Sequence, residues 1–156
     1  TNANVGMGTI YRYFENKEAL IQALYQKIKA ELVAAMLANA AEESTIRGRF
    51  FSILRNLATY YLENPKAFSF MEQFANSPYF MKLSEADRRE LEYPIYQFVQ
   101  EAQELEIVKD APIPILMTTV YGTIVALVKL HIGGDYLLDD AAIETATAVS
   151  WDAIKR

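Results

Sequence analysis

The chain has 156 residues, 52% hydrophobic and 22% charged, with six Gly, five Pro, no Cys and a formal charge of −5. That is enough apolar material for one packed domain and too little Gly and Pro for a linker-rich or disordered chain. Without Cys there is no disulfide framework, thiolate zinc site or cysteine nucleophile, and His131 as the sole histidine excludes a multi-histidine metal centre within one chain. No metal and no cofactor is expected.

The elements read as helices, with no convincing strand alternation, so the fold class is all-α. Thr1–Thr9 is polar and lacks the apolar stretch and basic flank of a signal peptide, which points to a cytoplasmic chain. Asn4 suits an N-cap, with Val5–Phe14 forming a helix of under three turns that needs neighbours to hold it. From Lys17 to about Asn39, Leu20, Leu24, Ile28 and Leu32 recur every four residues and predict one long helix. Ser44 or Thr45 can cap the next helix, which Asn64-Pro65 stops, and Pro65 opens a helix to about Asn76.

Asn76-Ser77-Pro78 reads as a break, and Ser84 with Asp87 resembles a capping box opening a helix to about Leu105. Pro94 removes one backbone hydrogen bond and predicts a kink near Glu90. Pro112 and Pro114 mark the start of an apolar helix and Gly133-Gly134 its end. Within it, Ile113–Leu130 is eighteen residues with Lys129 as sole charge, the lower limit for a membrane span. Thr118, Thr119, Gly122 and Thr123 dilute it, and a bundle centre or dimer interface explains it without a membrane. Asp139 or Asp140 caps a last helix to Arg156, rich in Ala, with Ile143, Trp151 and Ile154 for bulk.

The charge is divided. Residues 1–40 hold four basic and three acidic side chains, leaving −6 on residues 41–156. The short first helix presents Met7, Gly8, Thr9, Tyr11, Arg12 and Tyr13 with no carboxylate before Glu15, a surface suited to a phosphate-lined groove. The ordered residues Val5, Gly8, Thr9, Ile10, Tyr11, Tyr13, Phe14, Lys17 and Leu20 resemble the recognition helix of TetR-family transcriptional regulators. The resemblance covers roughly residues 3–24 and, in architecture only, the rest.

The resemblance implies a partial helix-turn-helix followed by a TetR-like helical ligand-binding and dimerisation domain. Residues 1–40 would be the remainder of the DNA-binding unit plus a connecting helix, and residues 41–156 the helical domain. In that family two helices precede the recognition helix, whereas this chain opens in what looks like the tail of the second, Thr1-Asn2-Ala3, so the sequence is expected to be truncated at its N-terminus.

The implied function is a ligand-responsive transcriptional regulator, in the commoner case a repressor, that binds palindromic operator DNA as a homodimer and is released or modulated by a small apolar or aromatic effector. Met7, Gly8 and Tyr11 sit where base edges are approached, Thr9, Tyr13 and Lys17 where phosphates are contacted, and Arg12 suits either role. For the effector pocket the candidates are the aromatics Tyr60, Phe70, Phe74, Tyr93, Tyr96 and Tyr121, with Asn56, Gln73, Gln97 and Thr118 as polar contacts. An anionic effector would need Arg55 or Lys129 turned inward, a cationic one Glu72 or Glu92.

The expected dimer interface lies on the last two helices, with Tyr121, Val125, Val128, Ile143, Thr147, Trp151 and Ile154 as its residues. His131 is placed to stabilise a helix C-terminus. The alternative is a helical small-molecule or lipid-binding protein, or an enzyme, using the same pocket without DNA. An enzyme finds little here, since the chain has no phosphate loop and no nucleophile with an evident base.

Overall fold

The computed structural model of the chain describes residues 14–156, with the side chains of all but 85–91. All but Phe14 of the short helix expected over Val5–Phe14, together with its Asn4 cap, therefore falls outside the described residues, and the Asp87 side chain of the expected capping box is likewise not described.

Seven α-helices and no strands occur among the described residues. Helix α1 spans Lys17–Leu37 and is capped by Asn16, whose side chain accepts from the Ala19 amide. Its buried stripe is Tyr25, Leu32, Val33 and Met36, with Ile21 and Ile28 half-buried against the core, and of the expected four-residue repeat Leu24 is exposed. Asn39 turns the chain in the left-handed region (φ 59°) into a short 3-10 turn, Ala40–Glu42. Thr45, not Ser44, then caps α2 (Ile46–Glu63) by accepting from the Gly48 amide at 2.9 Å.

Pro65 occupies the first turn of α3 (Pro65–Ala75), where its missing N–H costs nothing. The expected break at Asn76-Ser77-Pro78 is followed by a single helical turn, α4 (Pro78–Met81), before α5 (Glu85–Glu104), which continues through Pro94. Helix α6 spans Ile113–Gly133 and ends at Gly134, whose φ of 82° favours glycine. Asp139 caps α7 (Asp140–Ile154) by accepting from the Ala142 amide.

Helix α2 is the axis of the core. Phe50, Ile53, Leu54, Leu57, Ala58 and Tyr61 are buried on it, packed between α1, α3, α6 and α7. The chain's last residues fold back on the α5–α6 connection. Val108 and Lys155 form an isolated antiparallel bridge, the Lys109 amide donates to the Ile154 carbonyl at 2.8 Å, and the Arg156 amide donates to Ile107. His131 accepts from the Leu138 amide through Nδ1 at 3.1 Å, so it clips the α6–α7 loop as well as sitting in the last turn of α6.

By length and composition α6 could cross a membrane, and one face of it is covered by the chain itself. Leu116, Val120, Ile124, Val125 and Val128 point into the core, while Ile115, Thr119, Gly122, Ala126 and Leu130 are exposed. The residues expected at the dimer face lie mostly on the inner side. Val125, Val128, Ile143, Thr147, Trp151 and Ile154 are all under 9% exposed inside a single chain, and Tyr121 is half-buried against the core. The two faces of α6 are both apolar, so periodicity alone could not say which one meets the chain's own core.

Candidate functional site: an apolar cavity with an ionic end

A cavity of about 310 Å³ lies between α1, α2, α3, α5, α6 and α7, at the small end of the roughly 300–1,000 Å³ typical of small-molecule pockets. Its wall is mostly aliphatic: Leu32, Val33 and Met36 from α1, Ile53, Leu54 and Leu57 from α2, with further apolar side chains from the other helices. Trp151, the chain's only tryptophan, closes one side and packs on Phe50 with ring centroids 5.1 Å apart.

Polar groups enter the wall at Lys29, Glu72, Glu92, Thr118 and Tyr121. Lys29 on α1 donates to Glu92 on α5 at 2.7 Å, joining two helices across the cavity. Glu72 on α3 pairs with Lys129 on α6. The Tyr121 hydroxyl lies 2.7 Å from that of Tyr61, which is fully buried on α2. Burial pushes the Tyr61 phenol far above the ordinary tyrosine range, and Tyr121 adds to this. Tyr121 is also raised, by burial first, while the Tyr61 hydrogen bond opposes the rise and Glu72 and Glu92 reinforce it. Both hydroxyls therefore stay protonated across the physiological range.

Of the ten residues expected to contact an effector, Thr118 and Tyr121 border this cavity. The other eight are placed elsewhere. Asn56 donates to the Met36 and Ala38 carbonyls and so ties off the end of α1. Phe74 is core, stacked on Tyr25 at 4.3 Å and on Phe70 at 5.9 Å. Tyr60 packs edge-on to Tyr61, and Gln73 is exposed. Tyr93 and Tyr96 are exposed on the outer face of α5, where Gln97 donates to the Tyr93 hydroxyl and borders a second, more open depression. Arg55 and Lys129 do not border the cavity, whereas Glu72 and Glu92 do.

Lys29 was not foreseen as a wall residue. The signal was present: it interrupts the stripe Tyr25, Lys29, Leu32, Met36, and a charge on an otherwise apolar helix face needs a buried partner.

Of the candidate DNA contacts, Lys17 is described; it is the first residue of α1 and exposed. Met7, Gly8, Thr9, Tyr11, Arg12 and Tyr13 lie outside the described residues. Among the described residues no group of three or more His, Asp or Glu side chains is arranged to hold a metal.

A helical body with an apolar cavity, joined by one long helix to a short segment patterned for a DNA groove, fits the class of helical DNA-binding transcriptional regulators. The comparisons make the assignment specific. The tetracyclin repressor-like C-terminal domain matches residues 45–155, and the tetR family of bacterial regulatory proteins matches residues 1–24. A helix-turn-helix-type transcriptional regulator of Haemophilus influenzae, itself uncharacterised, is 23% identical over 154 residues, covering 99% of this chain and 81% of the relative. The crystal structure of a TetR family regulator from Marinobacter aquaeolei superposes with a TM-score of 0.86 at 24% identity, covering 95% of this chain and 78% of that one. A TetR-family regulator from Haemophilus influenzae gives 0.76 at 23% identity, with 98% and 80% covered. The chain belongs to the TetR family of transcriptional regulators, which are DNA-binding proteins and not enzymes.

Proposed function

We propose that this regulator is a ligand-responsive repressor that acts in the cytoplasm, binding a palindromic operator as a homodimer and losing it when a small, largely apolar effector fills the cavity. Residues 1–40 form the DNA-reading unit with its connecting helix, and residues 41–156 the effector and dimerisation unit. The observation that carries the reading is the position of α1. It begins at Lys17, directly after the DNA-groove segment, and its Tyr25, Lys29, Leu32, Val33 and Met36 form one wall of the cavity. An occupant that moves that wall moves the segment attached to it, and two recognition segments must match half-sites about one helical turn, or a multiple of it, apart.

The homodimer forms through the face that the chain leaves bare on its last two helices. Ile115, Gly122, Ala126 and Leu130 on α6 and Val149 on α7 are exposed, and Ile115 and Val149 are each about 60% so (58% and 60%). Small residues at Gly122 and Ala126 permit close approach of a partner helix. In the operator complex, Met7, Gly8 and Tyr11 approach base edges, Thr9, Tyr13 and Lys17 contact phosphates, and Arg12 does either.

The full-length protein, titrated onto operators selected from a random DNA pool at several salt concentrations, should bind selectively and lose affinity steeply as salt rises. Binding without sequence preference, or with a flat salt response, would sink the proposal.

A further inference from the structure

We infer that the cavity takes a cationic amphiphile, an apolar body carrying an ammonium or similar cation, whose charge sits at Glu72 in place of the Lys129 ammonium. The inference rests on the reading of the cavity as an effector site. Three ionic side chains border it: Lys29, Glu72 and Glu92. Lys29 and Glu92 neutralise each other at 2.7 Å, and the Lys29 side chain is only 13% exposed. Glu72 differs, because Lys129 reaches it from outside the wall and is itself 57% exposed. Seen from within, the cavity therefore offers one carboxylate without an interior counter-charge.

Glu72 and Tyr121 border the same cavity, and Glu72 reinforces the rise of the Tyr121 phenol, so the carboxylate without an interior counter-charge belongs to the Tyr121 end of an otherwise aliphatic chamber. A ligand cation there gains the Glu72 ion pair, an attraction that strengthens as water is excluded. The displaced Lys129 returns to solvent at little cost, since exposed ion pairs contribute little. An anion meets the reverse situation. It must draw the buried Lys29 off Glu92 and leave the Glu92 carboxylate without its partner beside a cavity that Glu72 also borders, and breaking a partly buried pair is strongly unfavourable. Arg55, exposed and away from the cavity, offers no alternative anion partner.

Trp151 in the wall is the only tryptophan, so its fluorescence reports occupancy directly. The full chain is titrated at submicellar concentrations with decyltrimethylammonium, decanol and decanoate, which share one apolar body and differ in charge. The expected order is cation, then alcohol, then carboxylate, with the cation about tenfold tighter than the alcohol, the ratio that one charge-assisted contact supplies. Glu72→Gln should bring the cation down to the alcohol's affinity and leave the alcohol unchanged. Lys129→Met should tighten the cation, because it removes the external competitor, a gain that damage to the fold would not give. Equal binding of all three, or preference for decanoate, overturns the charge assignment while the cavity remains an effector site. No Trp151 response to any of them overturns both.

Discussion

The hydroxyl of Tyr61 on α2 and that of Tyr121 on α6 meet at 2.7 Å between the core and the cavity wall. Each is the other's partner in a place where water is scarce, and this makes the pair sensitive to removal of either half. Tyr121→Phe should destabilise the chain by about 1–3 kcal/mol, the cost of stranding the buried Tyr61 hydroxyl. The double change Tyr61→Phe with Tyr121→Phe should cost less than the sum of the two singles, and a double-mutant cycle by denaturant unfolding measures the difference.

The same pair sets an alkaline limit. Tyr60, Tyr61 and Tyr121 all ionise above the ordinary tyrosine value when folded, chiefly through burial. A phenol whose folded value is raised contributes stability that is complete below the unfolded value of about 10 and is lost as pH rises beyond it. Ultraviolet titration should show the Tyr61 tyrosinate forming only as the chain unfolds, and Tyr121→Phe should make the loss of stability with rising pH less steep.

At the acid end the relevant contact is a fork. Arg49 on α2 donates through both terminal nitrogens to the Glu101 carboxylate on α5, at 2.9 and 2.6 Å. The Arg49 hydrogen bonds hold the Glu101 carboxyl below its usual range. A depressed carboxylate contributes stability above the ordinary Glu value of about 4.3 that is lost as pH falls through the folded value. Glu101→Gln should therefore flatten the fall in melting temperature below about pH 4.5 and change little at neutral pH, where an exposed pair contributes little.

Asn56 was expected to touch an effector and instead holds the end of α1, donating to two carbonyls at 3.2 and 2.8 Å. Asn56→Ala should cost about 1–2 kcal/mol in thermal or denaturant unfolding and leave the relative Trp151 affinities for the three amphiphiles as they were.

The dimer face is tested at a glycine. A Cβ added at Gly122 meets nothing within 4 Å in the isolated chain, so Gly122→Leu should leave the single chain folded and keep a partner's helix at a distance. Sedimentation should show a shift toward monomer with unchanged helicity. An unaltered dimer would place the interface elsewhere.

Much of the fold was legible because its punctuation is chemical. Pro65, Pro112 and Gly134 act where their backbone properties require, and Thr45 and Asp139 supply the side-chain oxygens their helix starts need. The single turn Pro78–Met81 was not legible, since a proline after Asn-Ser marks a break equally well as a restart. Residue type also failed to separate wall from surface in α5. Tyr93 and Tyr96 look like pocket aromatics yet face outward, while Ile95, Phe98 and Val99 line the cavity. Those two sets are one step apart on the helix, and only the neighbouring helices decide between them.

Lys17 offers a test of the DNA-facing end. If it contacts a phosphate, Lys17→Ala should weaken binding to all sequences alike and reduce the slope of log affinity against log salt by about 0.9.

The central claim is that occupancy of the cavity is read out at the DNA. The direct measurement is the fluorescence anisotropy of a labelled operator bound by the full-length protein, followed together with Trp151 emission as decyltrimethylammonium is added. Anisotropy should fall over the same concentration range in which Trp151 reports filling. An operator that stays bound while Trp151 shows a saturated cavity would contradict the account.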